Sequence, residues 1–156
     1  MLKRTMAVLI LAGASTVASA QDVTWRKDVG PIVAARCAMC HGAKAPEFND
    51  WMVLGDDKRK TVAPRMDTYP HFISYVLWPA TGAMMRRLDD GKSAGAGGKP
   101  GNMYQYLGGS DEERAKNLQT IKAWLGDGAW NLNRWSARGD VPGVTKEQLD
   151  KIKAKY

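Results

Sequence analysis

Cys37-Ala38-Met39-Cys40-His41 sets two thiols three residues apart and an imidazole directly after the second. On a helix, side chains at that spacing lie about 5–6 Å apart on one side. Two thiols so placed can add to two vinyl groups along one edge of a porphyrin. The adjoining imidazole is then held against the iron as its proximal ligand. C-x-x-C-H is the attachment signature of haem c, and one motif implies one covalently bound haem. A cysteine pair in an oxidising compartment usually forms a disulfide, but a bridge here would staple very little chain. A thioredoxin-like site needs a βαβ setting, which this chain lacks. A structural zinc site wants four Cys or His ligands, and only His71 is left over.

The elements that must carry these residues follow from periodicity and caps. Asp28 to His41 reads as one helix with Asp28 as N-cap and Pro31 in the first turn, where proline is tolerated. Val29, Ile32, Val33, Cys37 and Cys40 recur on one of its faces. Ala43 to Arg65 reads as loop. Tyr69 to Trp78 is an apolar, aromatic short helix stopped by Pro79, and Ala83 to Asp90 suits another. Gly91 to Gly101 holds five glycines and is expected to be irregular. Ser110 with Glu113 forms a capping box opening the clearest helix, and Asp111, Glu112 and Glu113 suit its positive end. Leu118, Ile121 and Leu125 form the apolar stripe of that helix, with Trp124 beside it and Gly126 as its stop. A tail from Asp127 to Gly143 and a short charged helix from Thr145 follow. No stretch alternates as a strand would. The expected fold is all-α, with three to five helices wrapped around the haem.

Lys3 and Arg4, the apolar run from Met6 to Ala14, and Ala18-Ser19-Ala20 read as a cleaved signal peptide over residues 1–20. The run is shorter than the roughly 20 residues that span a bilayer, and no later stretch is long and apolar enough. The expected product is a periplasmic domain over 21–126 with a packed C-terminal extension over 127–156. The full chain carries 23 basic and 16 acidic residues; loss of Lys3 and Arg4 leaves 21 against 16, a formal charge of +5. That excess favours redox partners with acidic docking surfaces. Scattered charges and export argue against nucleic acid. Lys146, Lys151, Lys153 and Lys155 read as a solvated helix face, and a monomer is expected.

Residues Asp28-Val29 and Pro31-Ile32, followed by Cys37 to Gly42 as C-x-x-C-H-G near the N-terminus, resemble class I c-type cytochromes. Lys60-Thr61-Val62-Ala63-Pro64 is similar to the V-G-P segment of that family, with Ala63 in place of its glycine. The resemblance implies that the Pro64 carbonyl accepts the ring N–H of His41. It covers Trp25 to Gly126 and leaves the tail unexplained. It also implies an aromatic of the last helix, Trp124, packed near a small residue of the first, for which Gly30 is the candidate.

Six methionines remain after the leader, and one is expected to complete the iron. Met39 lies inside the attachment loop, and Met52 and Met66 read as core filler. Met103 lies 62 residues after His41 and seven before Ser110. Its setting, Lys99 to Tyr104, resembles the P-G-x-K-M-aromatic ligand loop of the family. Met84 or Met85 is the rival, with Met103 then packing. His71, in Tyr69-Pro70-His71-Phe72, reads more simply as a partly exposed side chain at the start of a helix.

These features point to a single-electron carrier rather than an enzyme. Haem peroxidases of cytochrome type carry two C-x-x-C-H motifs, and this chain has one. An electron-transfer subunit docked on a periplasmic oxidoreductase is the alternative, with Trp130, Asn131, Asn133 and Trp135 as a possible docking strap. Thr81 to Leu107 is similar to a stretch of periplasmic monohaem cytochromes of proteobacteria, some from iron-oxidising lithotrophs. That similarity implies a place in a respiratory or lithotrophic chain.

Overall fold

Helix begins earlier than the Asp28 cap would place it. Thr24 is the N-cap: its hydroxyl accepts the N–H of Lys27, and the Asp28 carboxylate accepts the N–H of Thr24 at 2.8 Å. A π-helical turn over Trp25–Val29 leads directly into α1 (Gly30–Arg36). The early start brings Trp25 and Val29 into the core, which explains why capping moves from Asp28 to Thr24. The helical run breaks at Cys37, and α2 (Ala38–His41) carries the rest of the motif.

The computed structural model describes residues 22–77, 80–132 and 145–156. The expected leader, Trp78, Pro79, Asn133 and Trp135 lie outside these. The stretch expected as loop between Ala43 and Arg65 contains α3 (Phe48–Met52) and α4 (Asp56–Thr61). Helix α4 has no apolar stripe to reveal it. It is held by the i,i+3 ion pairs Asp56–Arg59 and Asp57–Lys60, with its acids at the N-terminal end and its bases at the other.

Next come α5 (Tyr69–Ile73), capped by Thr68, and α6 (Ala83–Leu88). A 3₁₀ turn at Tyr104–Leu107 precedes α7 (Asp111–Leu125), and α8 (Lys146–Leu149) closes the series. The fold is all-helical, with no strand among the described residues. Among the described residues its helices are more numerous and shorter than expected, and of these only α7 exceeds seven residues.

Helix α7 has the capped start expected of it, with one difference. The Ser110 hydroxyl accepts the N–H of Glu113, but the Glu113 carboxylate takes the N–H of Gly109, at 2.7 Å, instead of that of Ser110. Its other oxygen pairs with Arg36, tying α7 to the end of α1 beside Cys37. Leu118, Ile121, Trp124 and Leu125 are buried with Trp25, Val29 and Val33, and Phe72, Tyr75, Val76, Met84, Met85 and Leu107 belong to the same core. The Trp25 ring lies 5.3 Å from Phe72 and 6.1 Å from Trp124. Around Gly30 the nearest atoms all belong to Trp25, so the residue expected to seat Trp124 seats Trp25 instead.

Residues 152–156 run across this core as a strap. Lys153 and Ala154 donate backbone N–H groups to Leu125 and Trp124 at 2.8 and 2.9 Å. The Tyr69 hydroxyl donates to Ala154 at 2.9 Å, and the Trp25 N–H donates to Lys155 at 2.8 Å. Arg26 stacks over Tyr156, 4.5 Å from the ring centre, and Lys155 pairs with Asp22. Lys146, Lys151, Lys153 and Lys155 remain exposed. No helix among the described residues is long and apolar enough to cross a membrane.

Candidate haem attachment site

The break at Cys37 distinguishes the two thiols. Cys37 packs half-buried against the core, and burial first, then the neighbouring Cys40, pushes its thiol up to about 11. Cys40 is exposed, and neither cysteine is in a disulfide. The N–H groups of Cys40 and His41 both donate to the Cys37 carbonyl, at 3.1 and 2.8 Å, which keeps the second cysteine and the imidazole on one turn. Gly42 ends that turn so close to the Ala38 carbonyl that a β-carbon would collide with it.

The segment from Val62 to Met66 lies alongside this turn. Met66 donates its N–H to the His41 carbonyl at 2.8 Å, and Arg65 donates to Pro46 at 2.9 Å. Directly before these bonds in the chain, the Pro64 carbonyl stands 2.7 Å from His41 Nδ1. A carbonyl can only accept, so Nδ1 carries the proton and the lone pair resides on Nε2. The donor set suits haem c: two unbridged thiols on one helical run, and an imidazole fixed in the tautomer that offers Nε2 to a metal.

The other sulfur and imidazole candidates are placed differently. Met39 is 96% exposed, on the outside of the attachment turn. Met84 and Met85 are only 2% and 0% exposed inside the core, and Met85 Sδ accepts the N–H of Asn131 at 3.2 Å. Met103 is partly buried and packs against the edge of the core. Its N–H donates to the Arg87 carbonyl at 2.9 Å, and Gly101 donates to Asp89 at 2.8 Å. A β-carbon at Gly101 would overlap the carbonyl oxygens of Arg86 and Arg87. His71 is engaged at both nitrogens, Nε2 with Glu47 at 2.7 Å and Nδ1 with the Thr68 hydroxyl at 2.6 Å.

Two supports of this region were not evident beforehand. Asp89, 1% exposed, ends α6 and accepts from the Trp130 indole at 2.9 Å and from the N–H of Gly91 at 2.8 Å. Burial alone would raise its carboxyl pKa, but hydrogen bonds from Ser93, Trp130 and Gly91 outweigh it and hold the group below the usual carboxylate value. Trp51 donates its indole N–H to the Val62 carbonyl at 2.7 Å. For Trp51 the available signal was the spacing of Phe48, Trp51 and Met52, which suits one face of a short helix. For Asp89 the sequence offered only an acidic pair, Asp89-Asp90, directly before a glycine-rich loop.

An all-helical domain with a single C-x-x-C-H on its first helical run is a monohaem c-type cytochrome, an electron carrier rather than an enzyme. The chain belongs to the PccH cytochrome c family, which it matches over residues 24–156. The match extends through the tail, so the residues after Gly126 are part of the family's pattern. The chain is also similar to the monohaem cytochrome PccH from Geobacter sulfurreducens: 48% identity, TM-score 0.71, covering 86% of this chain and 99% of the other. No curated protein matches it.

Proposed function

We propose that the protein is a periplasmic single-electron carrier whose haem iron is ligated by His41 and Met103. On this reading it shuttles electrons between redox proteins of a respiratory or lithotrophic chain, docking its basic surface on acidic surfaces of those partners. The observation that carries the ligation is the His41 Nδ1–Pro64 bond, which orients the ring and raises the basicity of Nε2. When bound, the haem supplies a centre that gains and loses one electron. Cys37 and Cys40 tether it by thioether bonds, and the surrounding apolar side chains disfavour the extra positive charge of the ferric state.

Met103 is favoured over Met84 and Met85 by packing. The pair is enclosed by core residues, so turning either sulfur to a haem face means displacing them. Met103 sits at the core's edge on a loop pinned through Gly101 and its own N–H. Thioether ligation raises the potential relative to a second imidazole. The oxidised protein should show the weak red charge-transfer band of a methionine–ferric bond, and the reduced form should not bind carbon monoxide at neutral pH. Met103→Ala should abolish the band. Its survival in that variant, with loss on changing Met84 or Met85, would sink the assignment.

A further inference from the structure

The Pro64 carbonyl belongs to a segment that is itself held from behind. Trp51 Nε1–H donates to the Val62 carbonyl at 2.7 Å, two residues before Pro64. The Tyr75 hydroxyl donates to the Arg65 carbonyl, one residue after it, at a weaker 3.4 Å. Phe48 lies between the two donors, its ring 6.3 Å from Trp51 and 5.6 Å from Tyr75. Burial, with the charge of Glu47 adding to it, raises the pKa of the Tyr75 phenol, so its donor proton is retained well into alkaline solution. One aromatic unit, drawn from α3 and the turn after α5, therefore grips the peptide on either side of the acceptor.

We propose that Trp51, seconded by Tyr75, is a positioning residue that tunes the haem potential by fixing the Pro64 carbonyl against His41. This rests on His41 as the proximal ligand. A short Nδ1–H···O bond increases electron donation from the imidazole and stabilises the ferric state. Slackening the Val62–Arg65 segment lengthens that bond, weakens donation and raises the reduction potential. The 2.7 Å indole bond holds more firmly than the 3.4 Å phenol bond, so Trp51 dominates.

The test uses full-length holoprotein carrying Trp51→Phe, which keeps most of the ring packing and deletes the donor. The potential should rise, and the His41 Nδ1 proton should exchange faster by NMR, about tenfold for a hydrogen bond of ordinary net worth. Phe48→Leu is the comparison: it keeps both donors while thinning the packing, and should move the potential less. An unchanged potential in Trp51→Phe, or an equal shift in Phe48→Leu, overturns the proposal. If Trp51→Phe does not accumulate folded, Tyr75→Phe should give a smaller upward shift, and no shift there is equally fatal. A wild-type His41 Nδ1 proton that exchanges freely would remove the bond to Pro64 and overturn the proposal, while a holoprotein spectrum lacking a histidine-ligated haem would instead remove the ligand assignment it rests on.

Discussion

The indole N–H of Trp124 donates to the backbone carbonyl of Lys155 at 2.8 Å, reaching 31 positions along the chain. The same carbonyl accepts the N–H of Trp25, so one oxygen ties α7 to the start of the first helical run. Removing residues 152–156 strips partners from Trp25, Tyr69 and Trp124 together. Each donor left without a partner costs about 1–3 kcal/mol. Denaturant unfolding of the truncated holoprotein should therefore show a loss of several kcal/mol.

The loop bearing Met103 offers a sharper test. Gly101→Ala places a methyl against the Arg86 and Arg87 carbonyls, and overpacking of this kind costs about 1–3 kcal/mol. The loop must move, and the proposed ligand moves with it. The expected outcome is a weakened red band together with a lower melting temperature.

Acid stability should depend on Asp89. Its folded pKa lies below the unfolded value, so it contributes stability at all pH above the usual carboxylate value of about 4. That contribution is lost as pH falls through the folded pKa. Asp89→Asn should lower stability at neutral pH by about 1–3 kcal/mol. The gap between wild type and variant should narrow toward pH 3, read from unfolding curves across the acid range.

Met39 supplies the contrast. At 96% exposure on the outside of the attachment turn, its side chain packs against nothing in the core. Met39→Ala should leave the spectrum unaltered and change stability by less than about 0.5 kcal/mol. A lost red band would point to a different sulfur than the one proposed.

What was legible in the chain was whatever is encoded locally. C-x-x-C-H names its cofactor once the zinc, thioredoxin and disulfide readings are set aside, and α7 is announced by Ser110 and by the stripe of Leu118, Ile121 and Leu125. Helix α4 was illegible because Asp56 to Thr61 has no apolar periodicity, only ion pairs between neighbouring turns. The cap shifted from Asp28 to Thr24 because burial of Trp25, a tertiary demand, overrides a plausible local cap. Gly30 seats Trp25 rather than Trp124 through a local contact, since Trp25 reaches it from one turn earlier in the same helical run. The strap's bonds use backbone carbonyls, which every residue possesses, so no pattern of side chains could have revealed them.

The meeting of Trp25, Trp124 and Lys155 also imposes an order in time. Synthesis delivers the thiols and imidazole of residues 37–41 more than a hundred residues before the oxygen that joins the first and last parts of the core. Contacts separated that far close late in folding. A chain in which residues 152–156 have not yet docked is therefore expected to keep its core open around the attachment motif.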